Sequence, residues 1–308
     1  MPNQDRRSFL ATLGTGILAA AGLDAAVGCA RSPAREGADS AVAAAGDSAT
    51  AGAATKGGRP LGPIGVQLYT LRGEMEKDVA ATLARVARIG YKEVEFAGYF
   101  NKSPKEIRAT LDANGLRAPS SHIPLADFEK KLDAKLDGAR TAGHEYVVVP
   151  WVDEAQRRTL DDWRRIAEVC NRSAERAKGA GLRFAYHNHD FEFTPIEGRV
   201  PYELLLAETD RSLVQLELDL YWAVKSGQDP LAWFAKYPGR FPMLHVKDSA
   251  GPPAHKQVDV GQGTIPFRRI FAQRAQAGAS HFFVEEDEPS NAWATVENSY
   301  RYLAGVTV

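Results

Sequence analysis

A chain of 308 residues has room for one large α/β domain or two ordinary ones. With 38 basic against 39 acidic residues the formal charge is -1, so a nucleic-acid binder, which normally carries a basic excess, is not expected. The two cysteines, Cys29 and Cys170, exclude a disulfide framework and give no zinc-type spacing.

The opening segment reads as targeting. Arg6 and Arg7 precede a moderately apolar stretch from Phe9 to Leu23 that glycines interrupt. It is too short and too glycine-rich to span about 30 Å of hydrocarbon. "DRRSFL" resembles the twin-arginine export signal, with Asp5 where a serine is commoner. "AAVGC" resembles a bacterial lipobox, with Ala26, Val27 and Gly28 before Cys29. The expectation for residues 1–29 is therefore a signal peptide, with lipidation of Cys29 or cleavage nearby as the two outcomes. Residues 30–60 are almost wholly Ala, Gly, Ser and Thr with scattered charge. Such a segment buries too little apolar surface to offset its ordering entropy and is expected to be a tether. The location that follows is periplasmic or lipid-anchored, with the folded domain at 61–308.

From there, short apolar runs alternate with amphipathic stretches, the mark of repeated βα units. Strands are expected at 64–68, 93–96, 117–122, 146–150, 183–187, 214–218, 242–246 and 281–285. Helical spacing separates them, as in Val79, Leu83, Val86 and Ile89, or Trp163, Ile166, Val169 and Cys170. Gly90, Gly115, Gly143, Gly181 and Gly278 stand where helices should stop. Eight βα units in about 250 residues predict an α/β fold of the closed (β/α)8 TIM barrel type. An open doubly wound sheet would want a glycine-rich phosphate turn after its first strand, and "VQLYTLRGE" has none.

A barrel of this kind carries its chemistry at the C-terminal strand ends. Those ends hold Gln67 and Tyr69, then Glu95, His122 and Trp151, then His187, Asn188 and His189. Glu217 and Asp219, His245, Lys247 and Asp248, and Glu285, Glu286 and Asp287 follow. One such residue alone is more often a helix cap or a satisfied polar group. Together, His187, Asp219, His245 and Glu285 end four successive strands and can converge. Two imidazoles and two carboxylates suit Mn²⁺, Co²⁺, Fe²⁺ or Zn²⁺, acting as a Lewis acid on a carbonyl and its neighbouring hydroxyl.

"LDLYWAVKSGQDP", "MLHVKD" and "FFVEED" resemble the blocks closing strands six to eight in the sugar phosphate isomerase/epimerase superfamily of xylose isomerase-like barrels. "YHNHDFEF" is similar to its fifth block in one subgroup, that of inosose dehydratases and keto-sugar lyases. The resemblance implies a metal set of a strand-five glutamate, a strand-six aspartate, a strand-seven histidine and a strand-eight glutamate. The last three fall on Asp219, His245 and Glu285, whereas the first falls on His187. An epimerase shuttling a proton between two ligand glutamates would lose one of them.

The expected activity is proton abstraction alpha to a carbonyl of an unphosphorylated keto-sugar or cyclitol, with elimination favoured over aldose-ketose isomerisation. A non-catalytic sugar-binding lipoprotein is the alternative from another class. Lys247 would stabilise an enolate, His122 and His189 would serve as general acid or base, and Glu95 as a hydrogen-bonding base. Tyr69, Trp151 and Trp222 are expected to stack on a sugar, with Asn188 as a polar contact. Any oligomer is left open.

Overall fold

The computed structural model describes residues 58–308. The twin-arginine segment, Cys29 and the linker up to residue 57 lie outside the described residues. Eight parallel strands close into one barrel, as the alternation of βα units requires. In chain order these are β1 (Gly65–Gln67), β2 (Glu93–Phe96), β3 (Arg117–His122), β4 (Tyr146–Val149), β5 (Arg183–His187), β6 (Val214–Asp219) and β7 (Met243–Val246). A two-stranded ribbon follows, β8 (Asp248–Ser249) against β9 (Gln257–Val258), and then the eighth barrel strand, β10 (His281–Val284). Each expected strand is present with ends moved by a residue or two. In addition, the backbones of Arg59 and Val308 exchange two hydrogen bonds of 2.9 Å, which ties the start of the described chain to its end.

Strand faces alternate, so each strand sends one set of side chains to the helices and one inward. Val66, Val94, Val147, Val149, Phe184, Leu216, Leu218, Leu244 and Val246 belong to the outer core. Tyr146, Val148, Ala185, Met243 and Phe283 form a separate cluster that plugs the barrel interior. Above that plug the inward positions turn polar. In β3, Pro119 has no N–H to donate, and the β2–β3 register slips there, from Glu93 opposite Arg117 to Glu95 opposite Ser120.

The helix Leu160–Gly179 shows how local sequence sets an element. Thr159 and Asp162 form a reciprocal capping box at its start. Trp163, Ile166, Val169, Cys170 and Ala174 line its buried face. Each of the five glycines read as helix stops has a positive φ, from 61° to 124°. Among the described residues no helix is long and apolar enough to cross a membrane.

The β8–β9 ribbon was not legible from apolar periodicity, because it is set by one buried carboxylate. Asp248 accepts backbone N–H groups from Gly261 and Gly263 at 2.9 Å each, from Ser249 at 2.8 Å and from Ile265 at 3.2 Å. A Cβ at Gly263 would collide with that carboxylate. Asp248 is thus a clamp on the loop that follows β7.

Candidate active site

The strand register does the first part of the assembly. Asp219 stands opposite His245 between β6 and β7, and His187 opposite Glu217 between β5 and β6. His245 and Lys247, two residues apart on one face, both point inward, as do Glu217 and Asp219. All five are at most 2% exposed.

His245 is the hub. Its Nδ1 lies 2.8 Å from Glu285 Oε2 and 4.0 Å from Asp219 Oδ2. Its Nε2 lies 2.7 Å from Glu95 Oε2 and 3.2 Å from Glu217 Oε2. His122 faces the same two carboxylates, with Nε2 at 2.9 Å from Glu217 and 3.2 Å from Glu95. Gln67 donates to Glu95 Oε2 at 2.6 Å and fixes it from the β1 side. Nearer the mouth, Lys247 Nζ touches Glu285 at 2.8 Å, Asp287 at 2.9 Å and Asp219 Oδ2 at 3.2 Å.

Burial would make every one of these groups neutral, and the neighbours decide which resist. Burial lowers His122, but Glu95 and Glu217 carry it up to about 9. His245 is likewise raised well above the usual imidazole range by Glu217, Glu285 and Glu95 against its burial. Burial and Glu95 push Glu217 up, yet His245, His122 and His187 pull it down to about 2. Glu95 and Glu285 stay well below the ordinary carboxylate range, against burial, through the imidazoles and Lys247. Asp219 goes the other way, to about 6, since burial outweighs Lys247 and His245. Burial holds His187 and His189 well below 6.5, so both carry a free lone pair at neutral pH.

Two overlapping donor sets result. His187, Asp219, His245 and Glu285 bring one ligand atom each within 4.8 Å of the others, and so do His122, His187, Glu217 and His245. His187 Nδ1, Asp219 Oδ2, Glu217 Oε1 and Glu95 Oε1 are buried without a hydrogen-bond partner. For Asp219 Oδ2 the ammonium of Lys247 is close but not aligned as a donor. Such a donor set fits a divalent ion, and the four side chains named from the sequence, His187, Asp219, His245 and Glu285, make up one of the two sets.

The remaining sequence-named residues line the mouth. Trp151, Trp222 and Tyr69 are partly exposed there, and Arg72 lies over the Tyr69 ring at 4.2 Å. His189 packs edge-on to Trp151 at 4.7 Å, parallel to Phe191 at 5.6 Å and against Trp222 at 5.5 Å, with its Nδ1 unpartnered. Asn188 is fully buried, and its Oδ1 accepts the Asp219 backbone N–H at 3.0 Å, so it couples β5 to β6. Two further residues had no role assigned from sequence. Glu217 was visible as the same-face partner of Asp219 in "LELDL". Glu192 was not, because only the fold shows it accepting the Tyr186 hydroxyl and the His189 backbone N–H, both at 2.8 Å.

Residues 83–304 match the family described as xylose isomerase-like TIM barrel. The chain belongs to that family. It is 26% identical over 249 residues to an inosose dehydratase of Lacticaseibacillus casei, covering 69% of this chain and 82% of that enzyme. It superposes on a sugar phosphate isomerase/epimerase from Parabacteroides distasonis with a TM-score of 0.71 and 29% identity, over 82% of this chain and 96% of that one. A xylose isomerase-like barrel protein from Mycobacterium smegmatis in complex with magnesium shares the fold at a TM-score of 0.61 and 15% identity, over 80% and 98%.

Proposed function

We propose that this family member is a divalent-metal-dependent enzyme that removes the proton alpha to a carbonyl of a keto-sugar or cyclitol, with elimination of water or of a glycosyl oxygen as the outcome. The observation that carries the reading is the pairing of a neutral, unpartnered His189 with the buried imidazole and carboxylate cluster, under a wall of aromatic rings. The likeness to an inosose dehydratase and the magnesium held by a neighbouring barrel support it.

His187 and His245, with carboxylates beside them, would hold the ion. When bound, it supplies Lewis-acid polarisation of the carbonyl and its neighbouring oxygen. The rest is chemistry of the chain itself. A neutral His189 accepts the proton from carbon on its imidazole, its ring held by Phe191 and Trp151. Lys247 stays protonated among three carboxylates and faces the negative charge that develops on the carbonyl oxygen. The C–O bond beta to that carbonyl then breaks, and the departing oxygen takes up a proton from His122, which Glu95 and Glu217 hold protonated against its burial. Trp151 and Trp222 stack on the ring of the substrate.

The test is NMR of inosose and keto-sugar panels in D2O with enzyme reconstituted in turn with Mn²⁺, Co²⁺, Fe²⁺ and Zn²⁺. Solvent deuterium entering the alpha position, with an unsaturated product, supports the reading. Sugar binding by calorimetry without exchange or product would replace it with the sugar-binding reading, and exchange with a ketose or aldose product would replace elimination with isomerisation. Export by the twin-arginine route and lipidation of Cys29 belong to the same proposal. Labelling with a palmitate analogue that persists in the wild type and disappears in Cys29→Ala checks the lipidation, and cytoplasmic retention of an Arg6→Lys, Arg7→Lys variant checks the route.

A further inference from the structure

The face opposite the active-site mouth, where the strands begin, is the one at which the described chain both enters and leaves the barrel. Ile64, just before β1, accepts the Lys92 N–H at 3.1 Å at the start of β2, and Arg59 pairs with Val308 a few residues earlier. Around the ring of strand starts, the N–H of Arg117 donates to the Lys92 carbonyl at 3.0 Å and that of Arg183 to the Glu145 carbonyl at 2.8 Å, so these turns lie side by side. Lys92, Arg183 and Arg211 are exposed and pair with no carboxylate among the described residues, and the same holds for Arg88 and Lys178 in the last turns of their helices. Of the acids on this face, Glu145 is taken by Arg117 at 2.8 Å and Asp112 by Arg108, which leaves Glu208, Asp210 and the terminal carboxylate. Arg88 and Lys178 answer the negative carboxyl ends of their helices, as basic residues do in any barrel. Lys92, Arg117, Arg183 and Arg211 stand past those ends, where the dipole no longer accounts for them. The mouth is the reverse, since its helix starts carry Asp78, Glu106, Asp162 and Asp229. A chain of formal charge -1 is thus polarised from end to end.

We infer that the strand-start face is a docking surface for an anionic phospholipid bilayer, which it meets with its basic turns while the acidic mouth points away, toward dissolved substrate. Exposed lysines and arginines close to such a surface are each drawn to it, and the attraction fades within a Debye length. Two observations favour a bilayer over a nucleic acid. The formal charge leaves no basic excess for a polyanion that surrounds the whole molecule, and the segment that the sequence marks as a membrane tether joins the barrel at this face, at Arg59. The inference rests on the export and anchoring reading for the side from which the bilayer comes, and adds the surface that meets it.

The experiment uses the full chain carrying Cys29→Ala, so that no lipid contributes, and sedimentation with vesicles of phosphatidylcholine alone or of phosphatidylcholine with phosphatidylglycerol. Tighter binding to the anionic vesicles, weakened by added salt, is expected. A triple variant Lys92→Gln, Lys178→Gln, Arg211→Gln should lose about 5-fold in partitioning for each charge removed, hence roughly 100-fold in all. A control triple at the mouth, Lys102→Gln, Lys105→Gln, Lys130→Gln, removes the same charge from the other end and should keep the binding. All six side chains are exposed, and circular dichroism checks that both variants fold. Equal binding to the two kinds of vesicle overturns the inference, and so does an equal loss in the two triples, which would make net charge rather than this face the cause. The palmitate test is separate: a wild type that takes no lipid while the strand-start triple still loses vesicle binding keeps the surface and gives up the anchor.

Discussion

Glu192 offers the sharpest quantitative check, because it is a fully buried carboxyl placed by the fold beside a residue of the site. Burial pushes it up to about 8 despite the Tyr186 hydroxyl and the His189 backbone N–H. An unfolded chain ionises the same group near 4.5. Between those values the native state holds one proton more than the unfolded state, so stability falls as pH rises. At about 1.4 kcal/mol per pH unit the ceiling on the loss between pH 4.5 and pH 8 is about 5 kcal/mol. Stability from this group is therefore complete below 4.5 and lost progressively up to about 8. Glu192→Gln cannot ionise but is nearly the same shape. At pH 5 it should be the less stable protein by about 1–3 kcal/mol, since its amide sets a donor against one of two donors. The gap should close and reverse by pH 8. Urea unfolding at pH 5, 6, 7 and 8, followed by tryptophan fluorescence, gives the difference at each pH. A difference that does not change with pH, or that grows in favour of the wild type as pH rises, refutes the reasoning.

His144 is the mirror case. Burial lowers it to about 4, and it is bonded to the Ala118 carbonyl and the Tyr99 hydroxyl, so stability should fall as pH drops from 6.5 to 4, and His144→Gln should flatten that limb in acid-unfolding scans. Lys247→Met leaves Asp219, Glu285 and Asp287 without their shared cation, with an expected loss of about 3–5 kcal/mol by urea unfolding at pH 8. A loss below about 1 kcal/mol there would mean that the carboxylates relax into solvent. Gly261→Ala drives a methyl into the Tyr302 ring at a φ of 91°, and Gly263→Ala into the Asp248 clamp. Each should lower the thermal midpoint, and Gly263→Ala should also speed proteolysis between Gly251 and Gly263 if the clamp is what holds that loop.

Much of this molecule could be read before its structure. Strand and helix positions follow from short-range periodicity, 2 against 3.6 residues, and each glycine stop reflects a local φ that only glycine takes easily. The barrel then follows from counting units, and the mouth residues from the rule that strand C-termini carry the site. What sequence could not give is distance between elements. The pairing of Glu95 with His245, 150 residues apart, depends on ring closure and on the register of β1, β2, β7 and β10. Glu192 looked like one acidic residue in "HDFEF" until the fold buried it beneath His189. Lys247 read as a cation for an enolate, and the fold shows which three carboxylates, Asp219, Glu285 and Asp287, stand around it. Residue identity determined which groups were available to the site. Charge state and partner, which depend on how much water each group loses and what stands within 3 Å of it, were decided by the tertiary structure alone.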